Sequence, residues 1–459
     1  MPARTSRRTG LGALSFTALF FGLVALLLLF SDKGQVSGDG RVRFDALTSL
    51  VDGGRLTADR YSLLQPIAAA PLYLAGAGVY AVTHAGLRRL DPERFAEERQ
   101  AAAEKVLGRF GKLVALGISG LVFAVLRRFF GFGPAEAATG VLIVLFGSTL
   151  VPHVRDFYAE PLWTLFSLGA LALLAVSSGV DWNAVPRSRK AALAAALALS
   201  VPLNPLLAPV LAVVTAIDAA RAAGRRLSRF LFPAVALAGG LALALGENLL
   251  RRGAPLDFGY GGEGFTGSVL GGLAGELVAP ARGLVFFIPA ALLLPILACR
   301  PGLPSPGRTW FRLGSFFSLF LLLGYAKWDA WHGGLYWGPR FLLPVSLLAA
   351  LALAVFLREA WARRSAPGLA AGALLFLLSF FVYKSGAAIG MRDLKACLLL
   401  DRSRETCFWE WQTLPFHPAA SASDLQEMAL HRSTAVEVGG VLLFGALLLI
   451  RPEATSPAR

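Results

Sequence analysis

The sequence predicts an all-α polytopic membrane protein, a bundle of about 12 transmembrane helices with its chemistry on outward-facing loops. Three observations predict it. Of 459 residues, 56% are hydrophobic and only 16% are charged, with a mean hydropathy of +0.61, too oily for a soluble chain of this length. Apolar runs long enough to span about 30 Å of hydrocarbon recur from end to end. The net charge of +15 is scattered through short loops between those runs rather than gathered on one domain. That distribution describes membrane topology and not a nucleic-acid surface.

Taken in order, the first run, residues 11–30, follows Arg4, Arg7 and Arg8. No small-x-small cleavage site comes after it, so it reads as a retained helix. Further helices are expected at 109–126, 135–152, 161–178, 191–203, 205–217, 230–248, 283–299, 311–326, 341–357, 367–383 and 435–450. Between them lie the basic loops Arg127-Arg128, Arg187/Arg189/Lys190, Arg221/Arg225/Arg226/Arg229, Arg300/Arg308/Arg312 and Arg358/Arg363/Arg364. All fall on the cytoplasmic side only if 66–86, with Pro66 and Pro71, is re-entrant or interfacial rather than spanning. The charged stretch 87–112 then lies outside. The organisation expected is a transmembrane module at 1–383 with its first outward loop at 31–110, an outward tail at 384–433, and a last helix with a cytoplasmic end at 434–459.

With that parity the outward loops hold the polar groups: 31–65, the turn 153–161, the loop 248–282, the stretch from Lys327, and the tail. The chain reads "SGDG" after the first helix, then "DFYAEPL", then "APARGLVFFIP", and finally "WDAWHGGLYWGPRFLLP". In this order the motifs resemble the GT-C superfamily of integral-membrane glycosyltransferases, bacterial relatives of protein O-mannosyltransferases and aminoarabinose transferases among them. The lone "GDG" stands where some relatives carry Asp-Glu. The resemblance covers most of 11–345. It implies a GT-C-like bundle and transfer of a sugar, with inversion, from a polyprenyl-phosphate carrier to a cell-envelope glycan, lipid or protein acceptor. It also implies a bacterial inner-membrane protein with its site facing the periplasm.

Inverting transfer needs a carboxylate to take the acceptor's proton. Asp39 is the candidate, since Gly38 and Gly40 let the backbone approach a substrate; the other reading of "SGDG" is a plain turn. Asp45 and Asp52, in "FDALTSLVDGG", read as solvated or capping groups. Asp156 and Glu160 either orient the acceptor or a sugar hydroxyl, or, for Glu160 beside Pro161, complement a helix dipole. A lipid phosphate leaving group calls for a fixed cation. Arg340 and Arg282 both precede apolar runs at interface depth, as phosphate ligands or as snorkelling anchors. Lys327 and His332 are further donors. Trp328, Trp331, Tyr336 and Trp337 cluster around Gly333-Gly334 and read as a sugar-binding loop, the alternative being an interfacial aromatic belt.

No phosphate-binding loop, dinucleotide fingerprint or metal-ligand spacing is present. The sequence requires no cofactor, and a divalent metal has no ligand pattern to support it. The glycine-rich "GYGGEGFTG" at 259–267 reads as a flexible acceptor-facing loop. The competing class, a transporter or flippase of a glycolipid or sugar, predicts related halves and mid-bilayer charges; neither pattern is evident. Cys299 is expected as a free thiol on the reducing side. Cys397 and Cys407, both in the tail, are expected to pair, shaping either a lid in which Phe408, Trp409 and Trp411 cover a cavity between Asp39 and Arg340, or a structural clip.

Overall fold

The computed structural model describes residues 6–31, 34–221, 226–334, 336–390, 392–400, 403–415 and 422–430. The expected last helix, 435–450, lies outside them. Among the described residues the regular structure is helical, with only isolated bridges at Gln35–Asp156 and Gly261–Glu263. Seven helices among these residues are long and apolar enough to cross a membrane, and four more are apolar but shorter. Large apolar side chains such as Val235, Leu243, Leu374 and Leu377 point outward, more than half exposed. A folded bundle tolerates such a surface when lipid covers it.

After α1 (Ser6–Ser31) the first loop builds α2 (Asp39–Gly53), α3 (Leu64–Thr83), α4 (Leu87–Leu90) and α5 (Pro92–Leu107). The bundle follows as α6 (Phe110–Phe130), α7 (Pro134–Phe146), the one-turn α8 (Leu150–His153), α9 (Glu160–Ser177), α10 (Arg187–Leu203), α11 (Leu207–Arg221) and α12 (Arg226–Arg252). Next come α13 (Val269–Val278), α14 (Leu284–Phe287), α15 (Leu293–Cys299), α16 (Ser305–Lys327), α17 (Leu343–Ala362) and α18 (Ala366–Ala388). The tail carries α19 (Arg392–Leu399), α20 (Arg404–Trp409) and α21 (Ala422–Leu430).

Local sequence explains these limits. Proline opens α7, α9, α16, α17 and α18, where its missing N–H costs nothing. Gly54 and Gly131 close α2 and α6 in the left-handed conformation. The crossing expected at 283–299 is broken instead: α14 stops at Phe287, and a 3-10 turn at Pro289–Leu292 leads into α15. The helix expected at 135–152 ends at Phe146. α17 is the centre of the bundle. Leu343 to Val355 is buried without interruption, as an apolar sequence without a polar stripe requires when neighbours surround it.

The basic loops collect at one end of the bundle. Arg358 donates to Phe130 O at 2.9 Å and pairs with Glu136 at 3.4 Å. Arg300 pairs with Glu359 at 2.9 Å, and the buried Arg229 pairs with Asp218 at 2.7 Å while donating to Ser177 O. The loops expected outside meet at the other end: Gln35 N bonds Arg155 O at 2.8 Å, Gln65 bonds Tyr158 O at 2.8 Å, and Leu63 N bonds Glu247 at 2.7 Å.

Residues 66–86 are not re-entrant, since α3 is one continuous helix with Pro71 inside it. By length α3 could span, but its partners argue for the interface. It packs along α5, whose sequence PERFAEERQAAAEKVL is densely charged. Gly76 of α3 lies so close to Ala103 that a Cβ there would approach its Cα to 2.8 Å. Asp52, at the end of the also charged α2, accepts from Tyr73 in the middle of α3 and faces Arg99 of α5 at 3.4 Å. Three helices are thus tied together, two of them rich in ions, although α3 itself is long and apolar enough to cross.

Candidate active site

The turn Ser37–Gly40 is moulded onto the turn before α9. Gly38 has φ 49°, a conformation that suits glycine. At Gly40 an added Cβ would stand 2.8 Å from Asp156 Oδ1 and 3.1 Å from Phe157 O. Asp156 is the anchor of this contact: its carboxylate accepts from Ser37 N at 3.0 Å, from the Ser37 hydroxyl, and from Phe157 N at 2.9 Å. It is buried, 2% exposed. Both its oxygens hold the first loop, and the result is a fixed position for Asp39 at the start of α2.

Asp39 and Arg340, 301 residues apart, are hydrogen-bonded at 2.7 Å through Oδ2 and Nη1. The lid expectation placed a cavity between them, and this direct pairing replaces it. Oδ1 of Asp39 faces Arg60 Nη2 at 3.8 Å, and the Tyr61 hydroxyl lies near the carboxylate. Burial alone would raise the pKa of Asp39, but Arg340, Tyr61 and Arg43 together hold it below the usual carboxylate range. Arg340 Nε lies 3.4 Å from Glu160 Oε1, so Glu160 opens α9 and faces an arginine at the same time. The Arg340 guanidinium lies 5.7 Å from the Tyr158 ring and 5.1 Å from Phe341. Gly333 presses on its stem, leaving 3.0 Å between a would-be Cβ and Arg340 Cγ.

Arg282 is brought to the same loop but to a different task. Its Nε donates to His332 O at 2.8 Å, Nη2 to Gly334 O at 3.0 Å and Nη1 to Ala281 O at 2.8 Å, and its guanidinium covers the Phe408 ring at 4.7 Å. It shapes the 332–334 backbone. Lys327 is exposed and donates to Gly267 O at 3.0 Å, while Asp329 receives Thr266 Oγ1 and Gly264 N. These bonds pin the glycine-rich loop, and Trp328 packs on its Tyr260 and Phe265 at 5.3 and 4.9 Å.

The aromatic cluster is therefore built largely inward. Trp337 is buried against Phe287 at 5.3 Å and over Gly386, where a Cβ would come within 2.5 Å of its ring; it is a core residue rather than an open sugar platform. Trp331 wedges onto Gly275 of α13, and His332 accepts from Gly334 N at 2.9 Å. In the tail, Cys397 and Cys407 are bonded, with Cα atoms 5.8 Å apart. Phe408 is fully buried against His332 at 4.6 Å and Ala281 N bonds its carbonyl at 3.2 Å, so the tail docks on the Arg282 side. Trp409 and Trp411 remain largely exposed. Cys299 is a free, exposed thiol.

Several residues at this end had no role in the sequence reading. Arg43, Arg60 and Tyr61 line a cavity with Arg252 and Tyr260, and Arg60 and Tyr61 also adjoin Asp39. A second cavity lies among Arg282, Trp331, His332, Arg340 and Glu276 of α13. Glu276 carried a readable signal, a lone acid in an apolar helix. The Arg60–Asp39 contact had none, because it depends on how a long loop folds. Among the described residues no group of three or more His, Cys, Asp or Glu side chains is placed to hold a metal ion.

Fold and site together describe an all-α polytopic membrane protein whose paired acid and arginine lie at the membrane-adjacent end of the bundle. No protein-family model and no curated protein matches the chain. Among solved structures the chain is similar to ArnT from Cupriavidus metallidurans in the apo state, at 16% identity over 96% of this chain and 78% of that one, with a TM-score of 0.48. It is likewise similar to ArnT bound to undecaprenyl phosphate, at 16% identity over 94% and 78%, with a TM-score of 0.49.

Proposed function

We propose that this protein is an inverting glycosyltransferase that moves a sugar from a polyprenyl-phosphate carrier to a cell-envelope acceptor, on the periplasmic face of a bacterial inner membrane. The observation that carries the reading is the Asp39–Arg340–Glu160 cluster: a cation placed just before the central apolar helix and held between two acids. The basic loops at the opposite end support the orientation through the positive-inside rule.

In the reaction, Asp39 takes the proton of the acceptor hydroxyl as its oxygen attacks the anomeric carbon. The bond from that carbon to the phosphate oxygen breaks on the opposite face, and the electron pair leaves with the lipid phosphate. Arg340 meets the growing negative charge. Paired with Arg340, Asp39 is a weak base. A phosphate that draws Arg340 away frees the carboxylate and raises its pKa, so donor binding prepares the base.

The test uses the full chain in vesicles with polyprenyl-phosphate-linked sugars. Asp39→Asn is expected to keep donor affinity and lower transfer by roughly 10²-fold or more. Arg340→Ala is expected to weaken polyprenyl-phosphate binding, with Lys restoring it only in part because an ammonium lacks the planar fork. Unchanged lipid-phosphate affinity in Arg340→Ala, or near-normal transfer by a folded Asn variant, overturns the assignment.

A further inference from the structure

Glu276 is the least explained charged residue at this end of the molecule. It is 3% exposed, and both carboxyl oxygens are buried without a hydrogen-bond partner. A buried polar group left unpaired costs about 1–3 kcal/mol, so its retention asks for a partner that arrives from outside the chain. The helix that carries it is closely packed. α13 is pressed against the end of α16, where a Cβ on Gly272 would come within 2.1 Å of Ala326 O, and a Cβ on Gly275 within 2.2 Å of the Trp331 ring.

The surroundings narrow the partner's chemistry. Glu276 borders the cavity that also touches Trp331, His332, Arg282 and Arg340. Burial pushes its pKa up to about 9, and no neighbouring cation offsets the shift, so at neutral pH the side chain is an uncharged acid with one O–H to donate and one carbonyl oxygen to accept. Such a group pairs with a hydroxyl. Arginines on the same cavity disfavour a cationic occupant, and an indole beside the acid supplies the apolar surface that a sugar ring presents its C–H groups to.

The geometry points to Glu276 as a specificity-determining residue that reads one hydroxyl of the donor sugar while Arg340 holds the phosphate. This rests on the transferase reading above. The acid and Arg340 line the same cavity, the one suited to a hydroxyl and the other to a phosphate.

The experiment measures affinities of the full chain in nanodiscs for bare polyprenyl phosphate and for polyprenyl phosphate carrying a hexose or a pentose. Wild type is expected to prefer at least one sugar-bearing lipid over the bare one. Glu276→Leu should remove about tenfold of that preference while leaving bare polyprenyl-phosphate affinity within about twofold, which also shows that the variant is folded. Glu276→Gln, which keeps a donor and an acceptor, should retain part of it. A preference undiminished in Glu276→Leu, or no preference in wild type, overturns the role of Glu276. Failure of the bare lipid to bind wild type instead overturns the transferase reading, so the two failures are distinct.

Discussion

Glu276 also has a consequence for stability that is separable from any ligand. Its folded pKa, about 9, lies above the ordinary value of 4.5, so the folded state holds a proton that the unfolded chain releases more readily. The associated stability is fully present below the ordinary carboxyl range and is lost as pH rises through about 9. Glu276→Gln removes this titration. The variant should gain several kcal/mol over wild type at pH 8, about 1.4 for each pH unit above the ordinary value, and show a flatter fall in melting temperature between pH 6 and 9, measured in detergent by intrinsic fluorescence. Identical pH profiles would mean that the carboxyl is ionised and paired. At this scale the sequence was partly legible. Glycines around Asp39 and the run ending in Arg340 marked both residues as candidates, but not their pairing across 301 residues. Asp156 was visible as an acid, but its fixation by Ser37 was not, because a backbone N–H 119 residues away leaves no trace in local pattern.

Elements were legible where hydropathy alone decides them. The helices from 110 to 130 and from 366 to 388 fall close to their expected places, since length and apolarity define a crossing. Where helices pack on one another rather than on lipid, the pattern was weaker: α3 has the composition of a crossing and the partners of a surface helix. The Cys397–Cys407 pairing was expected from two cysteines in one tail, whereas the burial of Phe408 beneath Arg282 was not. The Cys397–Cys407 bond fixes that docking. Cys397→Ser should lower stability by roughly 3 kcal/mol in the chain-entropy view and expose 403–415 to limited proteolysis, while leaving the helices of the bundle protected. An unaltered cleavage pattern would show that Phe408 and Ala281 hold the tail without the bond.

At the scale of the whole molecule, the sorting of basic loops to one end and the acid–arginine cluster to the other makes topology testable in one experiment. In a background with Cys299 replaced by Ser, a cysteine at Ser188 should resist an impermeant reagent in intact cells, and one at Ser49 should react. Labelling at Ser188 would invert the bundle. The overall architecture was the most legible level of all, because composition and charge spacing are summed over hundreds of residues, whereas the site is assembled from contacts that no window of sequence contains.

Those long-range contacts also impose an order in time. Arg251 and Glu247, at the end of α12, grip the first loop through Thr57 O at 2.7 Å, Asp59 at 2.9 Å and Leu63 N at 2.7 Å. The partners are separated by 184 to 194 residues. Asp39 waits longer still for Arg340, 301 residues downstream, which at 5–20 residues per second is roughly 15–60 s of synthesis. Over that interval the first loop is fastened in stages, by Asp156 and then by the end of α12, while its carboxylate still lacks its arginine. The centre closes only when the later helices have been delivered to the bilayer, so a ribosome that stops early leaves a membrane-embedded fragment without a working site.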